Sequence, residues 1–568
     1  MAIACFFSFA CGSNRKPKFE ISLTSNDYIL LEVGDEVDFT QYFTIKDKNG
    51  NKIPVEESML DLSHVNTSVI GSFTVTLKID DVSKTALFKV VPKGSVPDTP
   101  GTPSTPSTPS TPSTPSTPST PNKPANAMEK QTYNPSTFDH ENLQDKMSKD
   151  EYLGLPSVGT YSALVVPVQF KGDTISQQDL TNLNIAFNGT EEQTGWESVK
   201  TYYQKASYGK LNLSFDIKSV YQAKNNASYY ETYKKTKYDS DGPYTVTGEE
   251  VILEEVLSYY KSQNIDLSKY DFNDDGAIDA VYLIYSAPVD YDEGDFYWAY
   301  TTWYYGDVTC NDLVLYYYFF AGFDFMDEST ANDPGSGYPK INGLKVNAST
   351  FIHETGHLLG LDDYYDYYED KGSNEGLGGA DMMDYTVGDH NVYSKIMLGW
   401  MEPTIVNSTQ TVTIKSSQEK GEAILIPLNF NNSYFCEYLL IDLYSAQGLN
   451  KLHASQSNSY LYDGANYGVR IYHVSSSIND PYSDDYGSYT DYNNSISSIS
   501  LIKLVEADGE KKFASSDGYA AASDLWKTGN KLSSAFSAYK RNDGKQVNFD
   551  ISIDSASATS ATITITFN

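Results

Sequence analysis

His353-Glu354-Thr355-Gly356-His357-Leu358-Leu359-Gly360-Leu361-Asp362-Asp363 is the stretch on which the reading of this chain turns. His353 and His357 are four residues apart. On a helix both imidazoles then stand on one face, one turn apart, where they can grip a single ion. Glu354 projects beside them and is placed to take a proton from water on that ion. Gly360 is where a helix can stop and the chain can turn sharply. Asp363 follows three residues later and brings a carboxylate as third ligand. Asp362 is its rival, and the spacing after Gly360 favours Asp363. Two nitrogens and one carboxylate leave a fourth position for water, the arrangement of a catalytic zinc site rather than a structural one. Chance alone puts HExxH in roughly a few per cent of chains this long. Adding Gly360 and Asp363 lowers that to about one in ten thousand, so zinc is the expected cofactor.

Downstream stands Gly378-Gly379-Ala380-Asp381-Met382-Met383-Asp384-Tyr385. A methionine turn beneath a zinc site gives its ligands a dry, polarisable floor. Met383 is the expected residue and Met382 the alternative. These stretches resemble the immune inhibitor A peptidases, family M-six, of the zincin type with the pattern HExxHxxGxxD. The resemblance rests on Phe351 to Asp366, on Asp381-Met382-Met383-Asp384-Tyr385, and on Gly388-Asp389-His390-Asn391 through Ser394-Lys395 to Leu398-Gly399-Trp400. Upstream, Ser198 to Tyr203 and Ser207-Tyr208-Gly209-Lys210-Leu211 look similar. It covers roughly residues 155–480. It implies a secreted metalloendopeptidase with a zincin-like fold, zinc on His353, His357 and Asp363, and catalysis by Glu354. Members often carry Pro where this chain has Asp362.

Asp271-Phe272-Asn273-Asp274-Asp275-Gly276-Ala277-Ile278-Asp279 is a second metal signal. Oxygens of Asp271, Asn273 and Asp275 can converge on a hard cation, Gly276 allows the bend, and Asp279 can close the shell. Position twelve is Tyr282 rather than Glu, so this is no complete EF-hand. The family resemblance also places a calcium-type loop here, and calcium is the second expected cofactor.

The 568 residues around these motifs are too many for one ordinary domain. Residues 1–16 read as a signal or lipoprotein-type N-terminus. An apolar run too short to span a membrane leads to Ala10-Cys11-Gly12-Ser13, which resembles a lipoprotein cleavage site with Cys11 as the lipid anchor. Residues 17–95 alternate apolar and polar positions between turns, the pattern of a small Ig-like β-sandwich. Residues 96–125 are a Thr-Pro-Ser linker, a polyproline-like stalk whose reach is on the order of 80–90 Å. Residues 126–405 alternate strand and helix patterns and are the expected α/β (α+β) zincin-like catalytic domain. Residues 406–568 return to period-two strands and read as a β-rich C-terminal domain.

Composition narrows the function classes. The net charge is −34, from 75 acidic against 41 basic residues. A field of that sign repels nucleic acid and anionic membranes and suits a calcium-holding extracellular protein. Four cysteines, two of them in the leader, exclude a disulfide framework, and Cys310 and Cys436 are not expected to pair. The sequence therefore points to a secreted or surface-anchored zinc-dependent metalloendopeptidase acting on protein or peptide substrates, with water on the metal as nucleophile and Glu354 as general base. The competing expectation is a surface adhesion protein that keeps a zincin fold as a binding platform. Intact Glu354 argues against it, because a pure binder does not need the base.

Overall fold

The computed structural model describes residues 19–23, 29–32, 34, 37–47, 51–62, 65, 67, 71–79, 82–91, 127–149, 154–238, 243–288, 296–304, 308–310, 312–315, 317–326, 343–365, 376–384, 387–455, 466–478, 494, 499–509, 520–533 and 539–568. Cys11 with the rest of residues 1–16, the linker 96–125 and Tyr385 lie outside the described residues. The chain is mixed α/β with several sheets and falls into two compact units, one within residues 5–120 and one within 121–568.

In the first unit, Phe19–Leu23, Phe43–Asp47 and Lys52–Ile53 form a three-stranded sheet. Ile29–Glu32, Val82–Val91, Gly71–Ile79 and Leu60–Asp61 form a four-stranded one. The period-two pattern turns Val75, Leu77, Ala86 and Phe88 of one sheet and Phe43 and Ile45 of the other into a single apolar core.

In the second unit the site is positioned by β1 (Gly159–Gln169), α1 (Gln177–Asn188), α2 (Val199–Ala206), β2 (Leu211–Ile217), β3 (Tyr221–Gln222), α3 (Gly248–Ser262), β4 (Val281–Tyr285), β5 (Tyr300–Trp303), β6 (Tyr317–Gly322), α4 (Ser349–Leu358) and α5 (Val392–Met397). The strands make one sheet in the order β3–β1–β4–β6–β5, with β2 also paired to β1. Every pairing is parallel except that of β5, which runs antiparallel to β6. Parallel strands covered on both faces read as unbroken apolar runs, and Ala163–Phe170 is such a run. Leu164, Val166, Leu283 and Phe320 face one way, against Ile252, Leu253 and Leu257 of α3. Ala163, Val165, Tyr282 and Phe319 face the other way, against Phe187 of α1, Tyr202 and Tyr203 of α2, and Phe351 and Ile352 of α4.

The β-rich region, which begins with the strand Thr404–Ile405, packs a five-stranded sheet on a four-stranded one, and Leu439, Ile441, Ile471, Ile551, Ile563 and Ile565 lie between them. The strand Glu437–Ser445 is buried at every position. Its other face supplies Tyr438, Leu440 and Tyr444 to the same core that holds α4. The residues on either side of the expected boundary at 405/406 therefore share one apolar core inside one compact unit. Residues 127–149 and 154–157 tie the two together. Met128 is fully buried in the C-terminal core, its N–H donates to Gln546 O, and Leu155 N–H donates to Leu358 O at the end of α4. Cys310 and Cys436 are buried and free. Among the described residues no helix is long and apolar enough to cross a membrane.

Candidate metal centre

α4 forms because Phe351, Ile352, Thr355 and Leu358 recur at helical spacing and face the sheet, where each is fully buried. Tyr282 on β4 and Thr355 share a hydrogen bond of 3.1 Å, and Thr301 on β5 donates its hydroxyl to Glu354 O at 3.0 Å. These two bonds fix the helix along and about its axis. It ends at Gly360, whose φ of 94° suits glycine, and Leu361 N–H folds back onto Gly356 O. A Cβ on Gly360 would also stand 2.6 Å from the end of the Met147 side chain, which would have to move aside.

The turn swings Asp363 back over the helix. Its Oδ1 lies 2.9 Å from His353 Nε2 and 3.3 Å from His357 Nε2. Donors on bonds of about 2.0–2.2 Å around one tetrahedral ion stand about 3.3–3.5 Å apart, close to this spacing. Both rings have their other nitrogen engaged. His353 Nδ1 bonds Met382 O and His357 Nδ1 bonds Leu361 O, each at 2.8 Å. Those carbonyls require a proton on Nδ1 and so leave both Nε2 lone pairs directed at the common point. Donor atoms of His353, Glu354 and His357 all lie within 4.8 Å of one another, a group that could hold a metal ion.

The electrostatics agree with that geometry. Burial alone would keep the imidazoles neutral, but the Asp363 and Glu354 carboxylates outweigh it and push His353 up to about 9 and His357 upward. Asp363, although buried, is held far below the usual carboxylate range by the two imidazoles. Charges that draw protons onto these rings will hold a cation in their place. Glu354 is buried, and that burial raises its carboxyl above the ordinary glutamate value. Its Oε2 takes no hydrogen bond among the described residues. A carboxylate of raised basicity beside a metal site is suited to accept a proton.

Both methionines of the turn serve, in different ways. Met383 is fully buried with its sulfur under Gly356, where a Cβ would come within 2.4 Å of Sδ. Met382 contributes its backbone carbonyl to His353. Met383 O accepts from Tyr364 N–H at 2.8 Å, next to Asp363. The flanking aspartates Asp381 and Asp384, which the motif alone gives no role, brace the turn. Asp381 accepts from Met383 N–H and from the backbone and side chain of Asn391, and burial raises it to about 6. Asp384 accepts from Gly379 N–H and burial raises it to about 7. The signal was present in Asp-x-Met, an Asx-turn pattern that braces its own loop. His390 is not part of the centre. It is buried against Tyr202, Tyr203 and Trp400, burial holds it well below the usual histidine range, and neither ring nitrogen has a hydrogen-bond partner among the described residues.

The Asp271–Asp279 loop folds differently. Asp271 accepts from Asp275 N–H and Gly276 N–H, Asp275 from Ala277 N–H and the Asn273 amide, and Asp279 from Phe272 N–H. A second group whose donor atoms lie within 4.8 Å of one another, among the described residues, is Glu506, Asp508 and Asp524. In comparisons with known proteins, no family matches the chain and no curated protein matches it.

Proposed function

We propose that the protein is a secreted or surface-anchored zinc-dependent metalloendopeptidase of the immune inhibitor A type, with a zincin-like catalytic region and an Ig-like N-terminal module. One observation carries the reading: Asp363 Oδ1 meets the Nε2 atoms of His353 and His357, while both Nδ1 atoms are tied to backbone carbonyls. His353, His357 and Asp363 would hold the zinc. When bound, zinc supplies Lewis-acid chemistry, polarising a peptide carbonyl and acidifying water. Glu354 takes the proton from the attacking water and passes it to the departing amine. The buried wall behind it, built from α4, Met383 and Tyr203, keeps bulk water from the back of the site. Substrates are proteins or peptides, and Cys11 is the proposed lipid anchor. The calcium loop belongs to the same proposal, with Asp271, Asn273, Asp275 and Asp279 as ligands after a rearrangement of their present hydrogen bonds.

The test is a broad-substrate proteolysis assay on the purified chain, with metal analysis. The expected result is about one zinc per chain, loss of proteolysis on chelation, and recovery on adding zinc. Proteolysis indifferent to chelation would overturn the reading.

A further inference from the structure

We infer that Asn494, which comes from the β-rich C-terminal region, is a positioning residue for the metal centre: its side-chain amide holds the carbonyl of Tyr364, the residue that follows Asp363. This rests on the reading of Asp363 as a ligand. Asp363 lies beyond the Gly360 turn, where the backbone ladder of α4 no longer holds the chain. Its carboxylate meets the two imidazoles, and its backbone is anchored through the next residue. Tyr364 is buried and is held at three points: its N–H donates to Met383 O at 2.8 Å, its hydroxyl pairs with Ser394 Oγ at 2.7 Å, and its carbonyl accepts from Asn494 Nδ2 at 2.9 Å.

Asn494 is 1% exposed and itself locked. Nδ2 also donates to Ile502 O at 2.8 Å, and Oδ1 accepts from Ile502 N–H at 3.2 Å. Ile502 opens the edge strand Ile502–Leu504 of the five-stranded sheet. The amide thus uses two donors and one acceptor at once, a set that a carboxylate or a hydroxyl cannot reproduce. The same region grips the loop leading into the methionine turn. Leu504 N–H donates to Gly376 O at 3.3 Å and Ala520 N–H to Gly378 O at 2.8 Å. A Cβ at Gly376 would stand 2.4 Å from Tyr364 O, so glycine is required for the two segments to approach. Consecutive carbonyls of Met382 and Met383 set His353 and the Asp363–Tyr364 peptide in register, and Asn494 holds the carbonyl that follows, that of Tyr364. The C-terminal sheet is therefore a working part of the metal centre.

The test is a double-mutant cycle in the full chain, read as zinc affinity by competition with a chelator and as melting temperature in excess chelator. Asn494→Ala is expected to weaken zinc about 10–100-fold, the range for groups that orient metal ligands. Combined with Asp363→Ala it should add no further loss of affinity, because its effect passes through Asp363. If Asn494→Ala does not fold, Asn494→Ser is read in the same cycle. Unchanged zinc affinity in a folded Asn494 variant, with only the metal-free melting temperature lowered, overturns the inference. So does an equal loss of affinity in both backgrounds. An Asp363→Ala chain that binds zinc as wild type does would instead show the ligand assignment itself to be wrong.

Discussion

The segment 353–363 and the loop 271–279 both carry a metal-site pattern, yet they dispose of their polar atoms in opposite ways. At the first, each imidazole spends Nδ1 on a backbone carbonyl and leaves Nε2 for a carboxylate delivered from beyond a glycine turn. At the second, N–H groups of the same loop bond all three aspartates, leaving Asp279 Oδ1 without a hydrogen-bond partner among the described residues. The difference is chemical. A carboxylate in a tight turn finds an amide within its own loop, here two to seven residues away. A ring nitrogen on a helix finds no free amide in its own turn, and is met past the helix end, by Leu361 O for His357 and by Met382 O for His353. A histidine pair with a following Asp is thus a selective pattern, whereas an Asp-rich turn is compatible with a cation site and with a self-contained turn alike.

The sharpest way to break that contrast is to remove an imidazole. His353→Ala or His357→Ala should lose zinc and proteolysis together, as read by metal analysis and assay on the purified variants. A full complement of zinc in either would mean the metal sits elsewhere. Next in size is Glu354→Gln. The amide cannot take the proton, so turnover should fall about 10²–10⁴-fold with zinc retained and the fold intact. Near wild-type proteolysis with zinc bound would remove the general-base role.

A smaller effect distinguishes the two adjacent aspartates. Asp363→Ala should weaken zinc by more than the roughly 10–100-fold typical of outer-shell partners, and Asp362→Ala should leave it unchanged. The reverse order, measured by chelator competition, would exchange their assignments. Here the sequence supported a preference through spacing after Gly360, and the geometry puts the Asp363 oxygen between the rings.

The legible features were local ones. The helix of the motif, the Gly360 turn, the apolar runs of β1 and β4, and the period-two strands such as Ser560–Phe567 follow from spacing within a few residues. The illegible features join residues far apart in the chain. Nothing in the local pattern around residue 494 ties it to residue 364. The boundary expected at 405 lies where the mixed helix and strand pattern gives way to one mainly of strands, with a short helix at Lys451–Ala454. Periodicity does not reveal that both faces of Glu437–Ser445 are buried, one of them against the core behind α4. Likewise Met382 and Met383 compete for one role on paper, and in space one gives its carbonyl and the other its sulfur.

The smallest expected effect concerns Asp279, and it sharpens the second half of the contrast. Its side chain is buried, and Oδ1 has no hydrogen-bond partner among the described residues. Burial, with the nearby Asp275 and Asp271 charges, pushes its carboxyl up to about 8, against the opposing Phe272 N–H. The sign follows from proton counts. Between its ordinary value of 3.8 and about 8 the folded chain keeps a proton that the unfolded chain has lost. Without calcium, stability should therefore fall as pH rises through that window. A bound cation reverses the preference, because it favours the ionised carboxylate. At pH 8 calcium should raise the melting temperature, by an amount equivalent to about 2.7 kcal/mol at a hundredfold excess over its dissociation constant. Asp279→Asn keeps an oxygen for Phe272 N–H but has no proton to lose. It should show a flatter melting-temperature profile from pH 4 to 8 and a smaller gain from calcium. If wild type and Asp279→Asn respond alike to pH and to calcium, the loop is a self-contained acidic turn and holds no ion.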